Sequence, residues 1–216
     1  MTDKSISPLG DSAVTVRIGD GISEELSELV VRRARAISQE GIPGVLDIVP
    51  AYGSLTVHYD ARTIPYTDIR KRLLAIRTEP DSDVAATREP VKHVIDVRYD
   101  GEDLDEVARL TRLTVDRIIE IHASVEYRVF VIGFVPGFAY LGPLDPRLVL
   151  PRRESPRKRV PAGSVAIAES QTGVYPSETP GGWHLIGRTD VKLFDSLRDP
   201  PSTFAVGDRV RFTAAK

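Results

Sequence analysis

The chain of 216 residues contains no cysteine. That absence excludes disulfides, thiolate zinc sites, iron–sulfur clusters and a cysteine nucleophile, and it suits a reducing compartment. Aromatic residues make up 6% of the chain, with a single tryptophan, so any place where rings gather is informative. An excess of one charge is also missing: 29 Lys and Arg against 31 Asp and Glu leave a formal charge of −2, and no global field draws the protein to nucleic acid or membrane. No apolar run approaches the roughly 18 to 20 residues needed to span a bilayer. The opening MTDKSISPLG has no apolar core of signal-peptide length. The expectation is a soluble, cytoplasmic protein. The sequence has no G-x-x-x-x-G-K-[ST] phosphate loop, no G-x-G-x-x-G fingerprint, no H-E-x-x-H and no G-x-S-x-G. His58, His93, His122 and His184 are scattered without metal-ligand spacing, and no metal is expected.

What is present divides the chain in two. DSAVTVRIG alternates as a half-buried strand. Ser23 stands as an N-cap before Glu24 and Glu25, and Leu26, Leu29, Val30, Ala34 and Ile37 recur at helical spacing until Gly41. GVLDIV and SLTVHY read as two strands about a Pro50–Gly53 turn, and Thr67 as the cap of a second helix carrying Ile69, Leu73 and Ile76. This predicts a β-α-β-β-α domain over residues 1–80. Residues 78–90, TEPDSDVAATREP, are polar, proline-bounded and aperiodic, which puts a linker at 81–90. From 91 to 216 the pattern changes. KHVIDVRY is a strand, and 102–122 is helical with a break at Leu113–Thr114. EYRVFVIGF, RVPAGSVAIA, GWHLIG and DRVRFT are short strands between Gly/Pro-rich turns. The expected class is α+β, with the second half a closed or nearly closed β-barrel. His122 falls on a face with Ile118 and Ile119 and reads as a satisfied core or boundary histidine.

The stretch from Gly133 to Thr189 interleaves breakers, rings and polar groups more densely than a plain barrel needs. GFVPGFAYLG is either a rim turn whose rings plug the core or one wall of a pocket. In DPRLVLPRRESPRKRVPAG, prolines 146, 151, 156 and 161 stiffen an extended ribbon bearing Arg147, Arg152, Arg153, Arg157, Lys158 and Arg159. A stiff ribbon can fix guanidinium groups for anion recognition, although charge runs are usually solvated. Gly163–Ser164 is either an anion-binding nest or a bulge. Gln171 and Thr172 are placed at a turn tip or pocket mouth. Trp183 and His184 should point to opposite faces of one strand.

The string GFVPGFAYLGPLDPRLVLPRRESPRKRVPAGSVAIAESQTGVYPSETPGGWHLIGRT closely resembles the family of the B subunit of bacterial 5-oxoprolinase, also labelled allophanate hydrolase subunit 1 and KipI. The likeness extends to DLDEVARLTRLTVDRIIEIH and to the C-terminal VGDRVRF. It implies a cyclophilin-like β-barrel behind a small α+β domain. It also implies a heteromer with a C subunit, of the KipA or allophanate hydrolase subunit 2 type, and with an A subunit. The implied activity is ATP-dependent: the B and C subunits phosphorylate 5-oxo-L-proline, and the ring is then opened to L-glutamate. ATP enters as a substrate whose site is shared with the partner, with no tightly bound cofactor. The family also implies two other roles: inhibition of a sensor histidine kinase, or carboxyl transfer as in urea carboxylase. Hydrolysis of allophanate itself needs a Ser-Ser-Lys arrangement in a Gly/Ser-rich segment, and this sequence has none. The residues expected to bind substrate are Arg159, Ser164, Gln171, Thr172, His184 and Arg188 as polar groups, with Phe138, Tyr140 and Trp183 as walls. No catalytic residue is assigned.

Overall fold

A computed structural model describes residues 5–76 and 89–215. The linker expected at 81–90 therefore lies outside the described residues except for its last two. The chain divides into two compact units, Met1–Glu89 and Pro90–Lys216.

The first unit runs β1 (Ile6–Pro8), β2 (Ala13–Arg17), α1 (Glu24–Gln39), β3 (Val45–Ala51), β4 (Ser54–Tyr59) and α2 (Tyr66–Ala75). Its antiparallel sheet has the order β1-β2-β4-β3. The expected β-α-β-β-α is present with one strand added: β1 is three residues long and carries too little alternation to read. Ser23 caps α1, its Oγ accepting from the Leu26 N–H at 3.1 Å. Thr67 does not cap α2. The cap position is Pro65, whose fixed φ suits a helix start and whose missing N–H costs nothing there. Val30, Ala34 and Ile37 of α1 and Ile69 and Leu73 of α2 cover Val14, Val16, Leu55 and Val57 of the sheet. Each buried aliphatic side chain of this size contributes on the order of 1.5–3 kcal/mol. The buried Arg33 guanidinium donates to the Leu73 and Ile76 carbonyls at the C-terminal end of α2.

The second unit runs β5 (Lys92–Val97), α3 (Leu104–Thr111), α4 (Val115–Ser124), β6 (Glu126–Ile132), β7 (Ala139–Gly142), a 3-10 turn at Pro146–Leu148, β8 (Arg157–Val160), β9 (Ser164–Ala168), β10 (Gln171–Val174), β11 (Thr179–Gly181), β12 (His184–Arg188) and β13 (Arg209–Ala214). Seven strands form one sheet in the order β12-β9-β10-β7-β6-β13-β5, with β5 and β13 parallel and the other pairs antiparallel. Past the end of β5, Arg98 pairs with Arg188 through two backbone hydrogen bonds of 2.9 and 2.8 Å, and the sheet curls into a nearly closed barrel. Strands β8 and β11 form a separate two-stranded ribbon. Among the described residues, no helix is long and apolar enough to cross a membrane.

The helical excursion breaks at Arg112, which takes a left-handed φ of 58°, and Thr114 caps α4 by accepting from the Arg117 N–H at 3.3 Å. Inward-facing Val129, Leu141, Val165, Ile167 and Ile186 meet Val107 and Ile118 of α3 and α4 in the main core. Three local readings are corrected. GFVPGFAYLG ends in a strand, β7, rather than being turn throughout. RVPAGSVAIA is two strands, since Gly163 at φ 81° turns the chain between β8 and β9. The proline-rich segment is not extended throughout, because Asp145 caps the 3-10 turn at Pro146–Leu148.

Candidate functional site

The barrel closes at a seam, and the seam is open on both sides of its one bridge. On one side lies a cleft of about 400 Å³ whose wall includes Arg98, Asp100, Gly101, Ser164, Arg188 and Asp190. On the other lies a second hollow of about 330 Å³, sharing Arg98, Arg188, Thr189 and Asp190 and reaching Asp96. Backbone segments meet here at van der Waals range. A Cβ on Gly101 would stand 2.3 Å from the Leu185 carbonyl oxygen, and one on Gly187 would stand 2.6 Å from that of Arg98. Only glycine lets the strands approach this closely.

Two tripeptides of the same pattern face each other across the bridge, Arg98-Tyr99-Asp100 and Arg188-Thr189-Asp190. Residues opposite one another in an antiparallel pair share a face, so two guanidinium groups are brought side by side. Their charges are balanced crosswise: Arg98 Nη2 lies 2.9 Å from Asp190 Oδ1, and Arg188 Nη2 lies 2.6 Å from Asp100 Oδ2. All four side chains are substantially exposed. Such pairs are worth about 0–1 kcal/mol, so an incoming anion can replace either carboxylate at little cost.

Behind the cleft, Asp103 at the start of α3 ties three elements together. Its Oδ1 accepts from Arg153 at 2.5 Å and Arg157 at 2.6 Å, and its Oδ2 accepts from the Leu185 N–H at 2.7 Å. Burial alone pushes this carboxyl up. The hydrogen bonds from Arg157 and Leu185, with the charges of Arg157 and Arg153, outweigh burial and hold it below the usual carboxylate range. Arg153 and Arg157 are thus spent on anchoring the ribbon to α3.

Inside the barrel, His122 is fully buried on α4 and stacks on Phe212 at 4.7 Å. Its Nδ1 is 2.7 Å from the Tyr99 hydroxyl, and its Nε2 is 2.9 Å from Thr172 Oγ1. Thr172 donates its own proton to the Ala166 carbonyl at 3.0 Å. Nε2 must therefore carry the proton and Nδ1 must accept from tyrosine. Burial drives the imidazole pKa down to about 3, and the ring stays neutral. The side chain of Tyr99, beside the cleft, is fixed from within by this relay.

On the outer face of the same sheet, Phe138, Tyr140, Tyr175 and Trp183 pack edge to face with Ala166, Ala168 and Leu185. The turn that precedes this cluster, Gly133–Phe138, holds Phe134 at φ 73°, a conformation costing a non-glycine residue about 1–2 kcal/mol. Tyr175 explains the breaker-rich YPSETPGGW. Gly181 lies so near its ring that a Cβ there would stand 2.3 Å from the hydroxyl oxygen.

The structure sorts the expected site residues into five places. Ser164 and Arg188 are cross-strand partners in the wall of the seam cleft. Phe138, Tyr140 and Trp183 form the outer aromatic cluster, and Gln171, paired with Ala168, shares that sheet face. Thr172 is sealed inside the barrel. His184 faces away from Trp183, its Nε2 3.0 Å from the Pro151 carbonyl. Arg159 is 82% exposed on the ribbon, 3.6 Å from Glu178. Gly163–Ser164 is no nest, because the Gly163 N–H goes to Tyr175 and the Ser164 N–H to Pro161. The nine residues thus do not line one shared hollow.

The profile of the carboxyltransferase domain, subdomains C and D, matches residues 4–204. The chain belongs to this family. The B subunit of 5-oxoprolinase from Bacillus subtilis (strain 168) is 40% identical over 220 residues, covering 96% of this chain and 91% of the relative. That of Escherichia coli O157:H7 is 38% identical, covering 96% and 94%. Among solved structures, TTHA0988 superposes with a TM-score of 0.83 at 40% identity, covering 94% of this chain. This chain spans 40% of the length of TTHA0988.

For this member of the carboxyltransferase-domain family, sequence reasoning missed Arg98, Asp100, Asp103 and Asp190. The repeated Arg-x-Asp tripeptide was visible, but its two copies lie far apart in sequence and only barrel closure brings them together.

Proposed function

We propose that the chain is the B subunit of an ATP-dependent 5-oxoprolinase, acting with a C subunit to phosphorylate 5-oxo-L-proline before an A subunit opens the ring to L-glutamate. The observation that carries this reading is 40% identity to a named B subunit of 5-oxoprolinase over almost the full length of both chains. The seam cleft supports it. Its volume of about 400 Å³ falls in the range of small-molecule sites. Arg98 and Arg188 offer paired donors to a carboxylate or a phosphoryl group, each bidentate in capacity.

A lactam carbonyl is a poor electrophile. In the proposed step its oxygen attacks the terminal phosphorus, the bridging P–O bond breaks, ADP leaves with that bond's electron pair, and the ring N–H proton passes to solvent. The work left to protein groups is positioning and neutralising charge on phosphoryl oxygens, which needs no protein nucleophile. In this reading the guanidinium groups hold the anionic substrate, and Ser164 and the glycine-lined floor shape the cleft around it. Nucleotide is supplied at a site shared with the C subunit.

The test is ADP release dependent on 5-oxoproline, measured with all three subunits mixed. Arg188→Gln is expected to lower kcat/KM at least 10-fold with the fold intact, the effect of losing one charged hydrogen-bonding partner of the substrate. Full activity in this variant would remove the cleft from the mechanism. The family description favours one second reading, transfer of a carboxyl group. Carboxylation of a small amide from supplied carboxybiotin, without ADP release that depends on 5-oxoproline, would select it.

A further inference from the structure

The rings of the outer aromatic cluster do not line the cleft, and the barrel core does not need the outermost of them. Phe134 is 60% exposed, although it is a large aromatic in a chain with few. It is held outward by a tight turn, in which the Gly133 N–H donates to the Phe138 carbonyl at 3.0 Å and the Phe138 N–H to that of Val135 at 3.1 Å. Its left-handed backbone is one that phenylalanine rarely adopts. Behind it the rings form a ladder: Phe134 to Phe138 at 5.7 Å, Phe138 to Tyr140 at 4.9 Å, and Tyr140 to Trp183 at 5.8 Å. Arg152, exposed and 3.5 Å from Glu169, supplies charge close to Tyr140. A rigid, preorganised aromatic anchor with a polar surround is the anatomy of an interface hot spot.

We propose that Phe134, backed by this largely buried ladder, is the docking anchor for a companion protein of the same complex, which receives the phenyl ring in an apolar pocket. The proposal rests on the reading of the chain as one subunit of a complex. Two observations commit it to a companion chain. The relatives of matching length are named as subunits. In TTHA0988 the same fold makes up only 40% of the chain, so it occurs covalently joined to further protein. The position is also apt. Leu185 belongs both to the aromatic cluster and to the wall of the seam cleft, so a companion seated on the ladder lies beside the cleft and can complete it.

The experiment takes the full chain and, from the same genome, the protein that matches the remainder of TTHA0988, and measures their association by sedimentation and titration calorimetry. Phe134→Asp places a charge at the exposed position with a residue that tolerates left-handed backbone. It is expected to weaken association about 100-fold, as loss of a hot spot does. Leu46→Asp, at a still more exposed apolar residue of the other unit, is expected to change nothing. Unchanged association of Phe134→Asp would overturn the docking anchor and leave the multi-subunit reading standing. Failure of the wild-type chain to bind the companion would overturn that reading, and the docking anchor with it. If the chain alone forms a dimer that Phe134→Asp dissolves, while companion binding is unaffected, the surface belongs to a second copy and the proposal is wrong.

Discussion

Gln171 and Thr172 are consecutive residues of β10, both buried and both polar, and they face opposite sides of the barrel wall. Thr172 turns inward to His122, where every proton has an assigned acceptor. Gln171 turns outward onto the face that carries the aromatic ladder. The inner face is a closed polar relay set in an apolar core, and its output is rigidity. The outer face carries the exposed Phe134 and the rings behind it, the surface proposed to meet a companion chain. One step along a strand decides which role a polar side chain has.

The comparison is broken hardest from the inside. His122→Ala opens a void beside Phe212 and strips partners from Tyr99 and Thr172. It is expected to cost about 3–5 kcal/mol, read in urea with Trp183, the sole tryptophan, reporting on the barrel unit. A loss under about 1 kcal/mol would mean that the relay is not structural. The same residue predicts an acid response. Its folded pKa of about 3 lies below the ordinary value of 6.5, so the unfolded chain takes up the proton first. The stability it confers is complete above pH 6.5 and is lost as pH falls toward 3, at no more than about 1.4 kcal/mol per pH unit. His122→Gln should flatten the pH dependence of the urea midpoint between about pH 6.5 and 4. An unchanged slope would assign the acid response to other groups.

The smallest changes sharpen the contrast between neighbours. Thr172→Val keeps the shape and leaves the His122 Nε2–H without its acceptor. The expected cost is about 1–3 kcal/mol in stability, with companion binding untouched. Gln171→Ala is expected to cost about 1 kcal/mol or less in stability and to weaken companion binding a few-fold. Reversal of the two patterns would place the functional face inside the barrel.

Much of the architecture could be read from local pattern. Ser23 and Thr114 marked helix starts because capping is decided within four residues. The core role of His122 followed from helical spacing. The division of the chain was suggested by a polar, aperiodic stretch, most of which falls outside the described residues. The site was legible only as a neighbourhood. Residues 133–189 do hold the aromatic cluster, Ser164 and Arg188, but composition cannot assign faces across strands as short as four residues. It could not show that Arg153 and Arg157 are committed to Asp103, which is 50 and 54 residues away. Nor could it show that Arg98 stands opposite Arg188. The arginine ribbon looked like a recognition element because its acidic partners are distant in sequence.

The strand order carries a consequence for biogenesis. β5 is the first strand of its unit, and its sheet partner β13 is the last, with matched residues 117 positions apart. During synthesis β5 emerges early and waits, its ladder groups unpaired, until nearly the whole unit has been made. Such long-range pairing is slow and exposes strand edges to aggregation. Truncation into β13 would leave a barrel missing a stave between β5 and β6, and the arginine seam would lose the strand that holds its first member in place.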